Sequence, residues 1–212
     1  MDISEYNNDQ LQAIRIIKSY IRDITQREFR SVIKMIKPYI DFRSSVAGFQ
    51  KKYFSKICMK KCYKNGDSAC CNSEGIAVFF SDLVINAFYS NNEELAIMES
   101  SLFQAKGTKC VYLTDKGCLW RLKPIVCEMF LCDHVKKSIS SESSNTLTCW
   151  NQLKAEEKKF TWPDKPILFD EIERLFIEKG FDSRLMYFHK SPGLLRLKSK
   201  WKTMINKEKS NI

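Results

Sequence analysis

A chain of 212 residues, 44% hydrophobic and 28% charged with only 7 Gly and 5 Pro, can bury a real core and is neither a disordered tail nor a low-complexity fibre. Its 35 Lys and Arg against 25 Asp and Glu give a formal charge of +10, which suggests an acidic partner, and no apolar run approaches the roughly 20 residues that span a bilayer. The stretch MDISEYNNDQ lacks the apolar core of a secretion signal, so a cytoplasmic protein without membrane association is expected.

Leu11, Ile14, Ile17, Ile21 and Ile24 recur at three- and four-residue intervals and line one face of a first helix. Thr25 and Glu28 have the spacing of a capping box and open a second, carrying Phe29, Val32, Ile33, Ile36 and Ile40. Val46, Phe49, Tyr53 and Ile57 predict a third helix that runs into the first cysteine. GIAVFF, residues 75–80, reads as a short strand, after which Ser81 or Asp82 caps a helix through DLVINAFYS. Residues 93–104 read as helical again.

CVYLTDKGCLW predicts a hairpin turning at Asp115, Lys116 and Gly117, and Pro124 is placed to be the first residue of a helix PIVCEMFLCDHV. SISSESSN, residues 138–145, predicts an exposed loop. Two helices are expected beyond it. One covers 168–179 and stops at Gly180; the other starts at Ser191 and Pro192 and carries Leu194, Leu197, Trp201 and Met204.

Eight of the nine cysteines fall in two dense stretches, CMKKCYKNGDSACC and CVYLTDKGCLWRLKPIVCEMFLC. A reducing compartment and an odd count argue against a disulfide framework. Metal ligation is the economical reading, with buried packing as its alternative. On a helix Cys58 and Cys62 lie one turn apart on one face, and Cys70 and Cys71 follow a turn that folds back toward them. Adjacent cysteines point in different directions, so either one of the pair stands behind the ligands or two metal positions lie close together.

In the second stretch a hairpin brings Cys110 and Cys118 near each other. Cys127 falls in the first turn after Pro124, where the helix dipole favours a thiolate. Cys132, five residues on, faces elsewhere or lies beyond the helix end. Four thiolates suit tetrahedral zinc and an iron–sulfur cluster equally.

The order C-x3-C, then CC, then C-x-Y-L, G-C-L-W and K-P-x-x-C-x-x-F resembles the YkgJ-type cysteine-cluster family of zinc- or iron-chelating domains, over residues 58–132. The resemblance implies metal binding through Cys58, Cys62, Cys70, Cys71, Cys110, Cys118, Cys127 and Cys132. The chain departs from the family pattern in a longer spacer between Cys62 and the CC pair, in Lys123 where arginine usually precedes the proline, and in Glu128 where arginine often follows the cysteine. Lysine does not reproduce the planar fork of arginine, and Arg121 is the nearby candidate to replace it. Enzymes of that family are flagellin lysine methylases, larger proteins than this one, and no glycine-rich cofactor loop is present.

Outside the clusters, Cys149 reads as a packing residue, His134 as a surface histidine and His189 as having no role. Asp82, Glu93 and Glu94 read as helix-cap or surface acids. The run Lys51, Lys52, Lys56, Lys60, Lys61 and Lys64 reads as a solvated face, with phosphate contact as its alternative. Phe79, Phe80, Tyr112, Trp120 and Phe130 read as core packing, with the shielding of a cluster as the alternative.

The expected fold is mainly α, helices around an irregular cysteine-rich metal-binding centre with a short β-hairpin, all in one compact domain. Residues 1–50 supply N-terminal helices, 51–137 the cysteine-cluster region, and 138–212 the Ser-rich loop and C-terminal helices. The expected function is to hold zinc or an iron–sulfur cluster that supports redox chemistry or protein modification. The alternative is a noncatalytic zinc-stapled module binding nucleic acid or a protein partner.

Overall fold

The computed structural model describes residues 4–54, 77–104, 110–114, 117–133, 135–137, 144–161 and 167–188. It is mainly helical, with one two-stranded antiparallel hairpin. Helix α1, Glu5–Asp23, begins where the Ser4 hydroxyl accepts the Asn7 N–H at 3.2 Å, and Glu5 and Arg22 complement the dipole at its two ends. Its predicted apolar face is inside: Leu11, Ile14 and Ile17 are buried together with Tyr20, while Ile21 and Ile24 are half-buried.

Thr25 and Glu28 form the predicted capping box, with reciprocal bonds of 3.2 and 2.9 Å, and open α2, Gln26–Tyr53. The predicted second and third helices are this one helix. The break expected near residues 41–45 does not occur because Arg43 occupies an inward position, four residues after Tyr39 and three before Val46, and is itself buried. Pro38 lies within α2 on its exposed face. A proline there costs on the order of 3 kcal/mol, which the buried Val32, Ile36, Tyr39, Phe42 and Val46 on the opposite face offset. Ile57 lies outside the described residues.

The centre of the fold is α3, Phe80–Tyr89, whose residues from Phe80 to Phe88 are all buried. A helix this apolar is enclosed, and α1, the later helix Leu168–Glu178 and the 3-10 turn Arg184–Phe188 pack around it. Residues 77–79, predicted as part of a strand, have no strand partner among the described residues; Phe79 is extended and leads directly into α3. Helix α4, Asn92–Ser101, matches the predicted helix over 93–104 and starts in a capping box of Asn91 and Glu94.

Strands β1, Leu113–Thr114, and β2, Gly117–Cys118, form the predicted hairpin, and Gly117 takes the positive φ of 111° that closing it requires. Asp115 and Lys116 are outside the described residues. The register pairs Leu113 with Cys118 and Thr114 with Gly117, so Cys110 is not the cross-strand partner of Cys118.

The predicted twelve-residue helix from Pro124 is a short α5, Ile125–Met129, with Pro124 in the capping position and Phe130 extended. Gln50 explains the break. Its amide donates to the Glu128 carbonyl, which a continuing helix gives to the N–H of Cys132.

Helix α6, Ser144–Thr161, was not foreseen. It takes in the last two residues of the predicted Ser-rich loop, whose first six lie outside the described residues. Its apolar stripe is thin. Trp150 is buried against Phe49 and Phe54, and Phe160 stacks on Phe42 at 5.4 Å, which docks α6 on α2. Helix α7, Leu168–Glu178, matches the predicted helix over 168–179. Gly180 at φ 85° ends it, with the Phe181 N–H returning to the Phe176 carbonyl at 3.0 Å. The helix predicted from Ser191 lies outside the described residues.

Candidate functional site

Buried polar groups need partners, and the three in α3 reach two distant segments. Ser81 donates to the Phe169 carbonyl at 3.1 Å and so ties α3 to α7. Asp82 and Asn86, one turn apart, both face the chain that leads into Cys127. Asn86 accepts the Leu122 N–H at 2.9 Å, and Asp82 accepts the Ile125 N–H at 3.0 Å. From the other side Arg43 donates to the Lys123 carbonyl at 2.7 Å. Backbone groups of residues 122, 123 and 125 are therefore held by buried side chains from α2 and α3.

Arg43 is the electrostatic hub of this corner. It donates to the Tyr39 hydroxyl at 3.0 Å and stands 3.5 Å from the Glu128 carboxylate, with both members of the ion pair buried. Lys123 approaches Glu128 from solvent at 4.0 Å. The arginine expected to compensate for Lys123 was Arg121, but Arg121 is exposed and pairs with Glu94 at 3.4 Å. The arginine beside the K-P-x-x-C-E segment comes from α2 instead. Its sequence position, 80 residues from Lys123, gave no sign of this.

Asp82 was expected as a cap or surface acid, and it does cap: its second oxygen accepts the Phe79 N–H at 3.2 Å. It is also buried. Burial pushes its pKa up to about 7, against the opposing pull of the Ile125 N–H, Arg43 and the Phe79 N–H. Glu93 and Glu94 are the surface and cap residues expected, Glu94 through its capping box.

Of the eight candidate ligands, Cys58, Cys62, Cys70 and Cys71 lie outside the described residues. Cys110 is buried, Cys118 is exposed on β2, and Cys127 and Cys132 are half-buried. Cys127 is the third residue of α5, in its first turn as predicted, and Cys132 is beyond the end of α5.

Two tyrosines tie α1 to other segments. Tyr6 of α1 accepts the Val78 N–H at 2.8 Å, and Tyr112 donates to Gln10 of α1 at 2.9 Å. Burial raises the Tyr6 phenol to about 12; the Val78 N–H opposes that rise, and Cys127, Asp82 and Cys110 add to it. Burial also holds Tyr112 well above its usual range, with Cys110, Tyr6 and Cys118 adding to it. Cys110 therefore acts on both phenols, Cys127 on that of Tyr6 and Cys118 on that of Tyr112.

Desolvation raises the Cys118 thiol although its residue surface is open, and the Trp120 N–H draws it partly back. Tyr6 and Gln10 carry no sequence signal for this role, since they sit in a polar stretch far from any cysteine.

Comparison with family models, with curated proteins and with solved structures gives no match. The residues themselves must carry the reading. Among the described residues no group of three or more His, Cys, Asp or Glu side chains is arranged to hold a metal ion, and no helix is long and apolar enough to cross a membrane.

The aromatics expected to pack in the core do so in part. Phe80, Tyr112 and Trp120 are buried, Tyr112 meeting Trp120 edge-on at 5.4 Å, and Phe79 is half-buried, but Phe130 is 45% exposed. Cys149 is half-buried on α6, and its thiol faces Asn145 at 3.9 Å. Lys51 and Lys52 are exposed as expected; the other four lysines of that run lie outside the described residues, as do His134 and His189.

Proposed function

We propose that this protein binds zinc or an iron–sulfur cluster through Cys58, Cys62, Cys70, Cys71, Cys110, Cys118, Cys127 and Cys132. What supports the reading is that Cys110 acts electrostatically on both the Tyr6 and Tyr112 phenols, Cys127 on that of Tyr6 and Cys118 on that of Tyr112. The backbone entering α5 is pinned by Asn86, Arg43 and Asp82, which is the rigid support that a ligand on α5 needs. The described thiols do not close a coordination sphere by themselves, so ligands from residues 58–71 complete the proposed site. The resemblance to the cysteine-cluster family supports the same ligand set.

A cluster of this kind supplies redox chemistry or the modification of a partner protein. The second reading is a noncatalytic zinc staple whose basic surface binds nucleic acid or a protein. It is favoured by the exposed Lys51 and Lys52 at the end of α2, where the chain continues toward Cys58.

The test is purification without oxygen, followed by assay of iron, acid-labile sulfide and zinc. Iron with sulfide selects the first reading and stoichiometric zinc without colour selects the second. Eight free thiols with no metal would overturn both.

A further inference from the structure

The stretch IVCEMFLCD, residues 125–133, holds neither Pro nor Gly, so nothing local ends a helix at Met129. Helix α5 nevertheless stops there, and Phe130 is extended. Helical bonding then resumes, the Cys132 carbonyl accepting the Lys136 N–H at 2.9 Å. The break falls between Cys127, in the first turn of α5, and Cys132, where the next turn begins.

One face of α2 grips this segment. Arg43 and Gln50 are seven residues apart, so they fall on the same side of the helix, about 10 Å apart along its axis. Arg43 donates to the Lys123 carbonyl and stands 3.5 Å from the Glu128 carboxylate, and the Gln50 amide donates to the Glu128 carbonyl. Cys127 is therefore bracketed by residues that α2 holds on either side of it. The Gln50 bond is the one that bears on the break, because it takes the acceptor that the Cys132 N–H uses in a continuing helix.

The consequence for the thiols is geometric. In an unbroken helix Cys127 and Cys132 lie about 140° apart around the axis and about 7.5 Å apart along it. Two thiolates on one tetrahedral ion, each at about 2.3 Å from it, stand only about 4 Å apart. A continuous helix keeps these two thiols from a shared ion, and the break removes that restriction.

We propose that Gln50 is a positioning residue for Cys132: it holds the break that lets Cys132 join Cys127 on one metal ion. This role rests on the metal-binding reading above and adds to it a side chain that no cysteine pattern contains.

The experiment is a cobalt(II) titration of the metal-free full chain without oxygen, reading the thiolate-to-cobalt charge-transfer band per bound ion. Gln50→Leu, which cannot donate, should lower the band by the same amount as Cys132→Ser, and the double variant should lose no more than either single change. Gln50→Lys, which supplies a donor of similar reach, should keep the band. Amide hydrogen exchange without metal checks the cause: in Gln50→Leu the freed Glu128 carbonyl accepts the Cys132 N–H, whose exchange slows. An unchanged band in Gln50→Leu, equal loss in Gln50→Lys, additive losses in the double variant, or a lowered band without slower exchange at Cys132 would each overturn the role of Gln50 and leave the metal-binding reading standing. Absence of any thiolate–cobalt band in the unaltered chain would overturn both together.

Discussion

Asp82 accepts the Ile125 N–H at 3.0 Å across 43 residues of sequence, joining the enclosed central helix to the first residue of the short helix that carries Cys127. The same carboxylate accepts the Phe79 N–H and so starts its own helix. One buried side chain thereby sets both the start of α3 and the position of α5.

Replacing Asp82 by alanine orphans two backbone donors, one of them in a buried bond. Loss of a cap and of a buried partner together costs about 2–4 kcal/mol. Urea denaturation checks this, and a loss below about 0.5 kcal/mol would show that water replaces both bonds.

The pH dependence follows from the same group. The folded-state pKa of Asp82, about 7, lies above the roughly 3.9 of an unfolded aspartate. Between those values the folded chain binds more protons, so the Asp82 contribution to stability is greatest below about pH 4 and declines as pH rises through 7. Arg43, Glu157, Tyr39 and Tyr6 are the charged or titratable groups that sense or shift it. Asp82→Asn should flatten the stability profile between pH 4 and 7; an unchanged slope would assign the titration to another group.

Breaking the buried Arg43–Glu128 pair by Arg43→Met leaves the Glu128 carboxylate short of its main partner and the Lys123 carbonyl without its donor. The expected cost is about 3–5 kcal/mol. Glu128→Gln should cost less, because Arg43 keeps Tyr39 and the Lys123 carbonyl. A double-mutant cycle measures the coupling, and strictly additive losses would mean that the two charges do not act as a pair.

At the exposed start of α2, Thr25→Ala removes the capping bond from the Glu28 N–H and the hydroxyl's bond to the Glu28 carboxylate, and should cost about 1 kcal/mol. Thermal unfolding would record a small downward shift. A large one would indicate that Thr25 has a role beyond the cap.

The proposed metal binding predicts a difference among the cysteines. Cys110→Ser and Cys127→Ser should each lower bound metal per chain, whereas Cys149→Ser, on α6 beside Asn145, should leave it unchanged. Equal loss in all three variants would point to unfolding instead of ligand removal, which circular dichroism of the same samples would reveal.

Helix stripes, the Thr25–Glu28 and Asn91–Glu94 caps, the hairpin at Gly117 and the stop at Gly180 all depend on residues a few positions apart, and spacing alone determined them. Tertiary structure decided where a local pattern was incomplete or was overruled. Arg43 on the inner face made one helix where the apolar pattern suggested two, because a distant carboxylate and carbonyl satisfy its charge. Gln50 ended α5 early by taking a carbonyl that the helix itself would have used. The thin stripe of α6 became legible only once Phe42, Phe49 and Phe54 supplied its packing surface. The cysteine spacings likewise said nothing of the side chains around the thiols. Tyr6, Gln10 and Asn86 reach that corner only because α1 and α3 pack together, and contacts across such distances have no local period from which to read them.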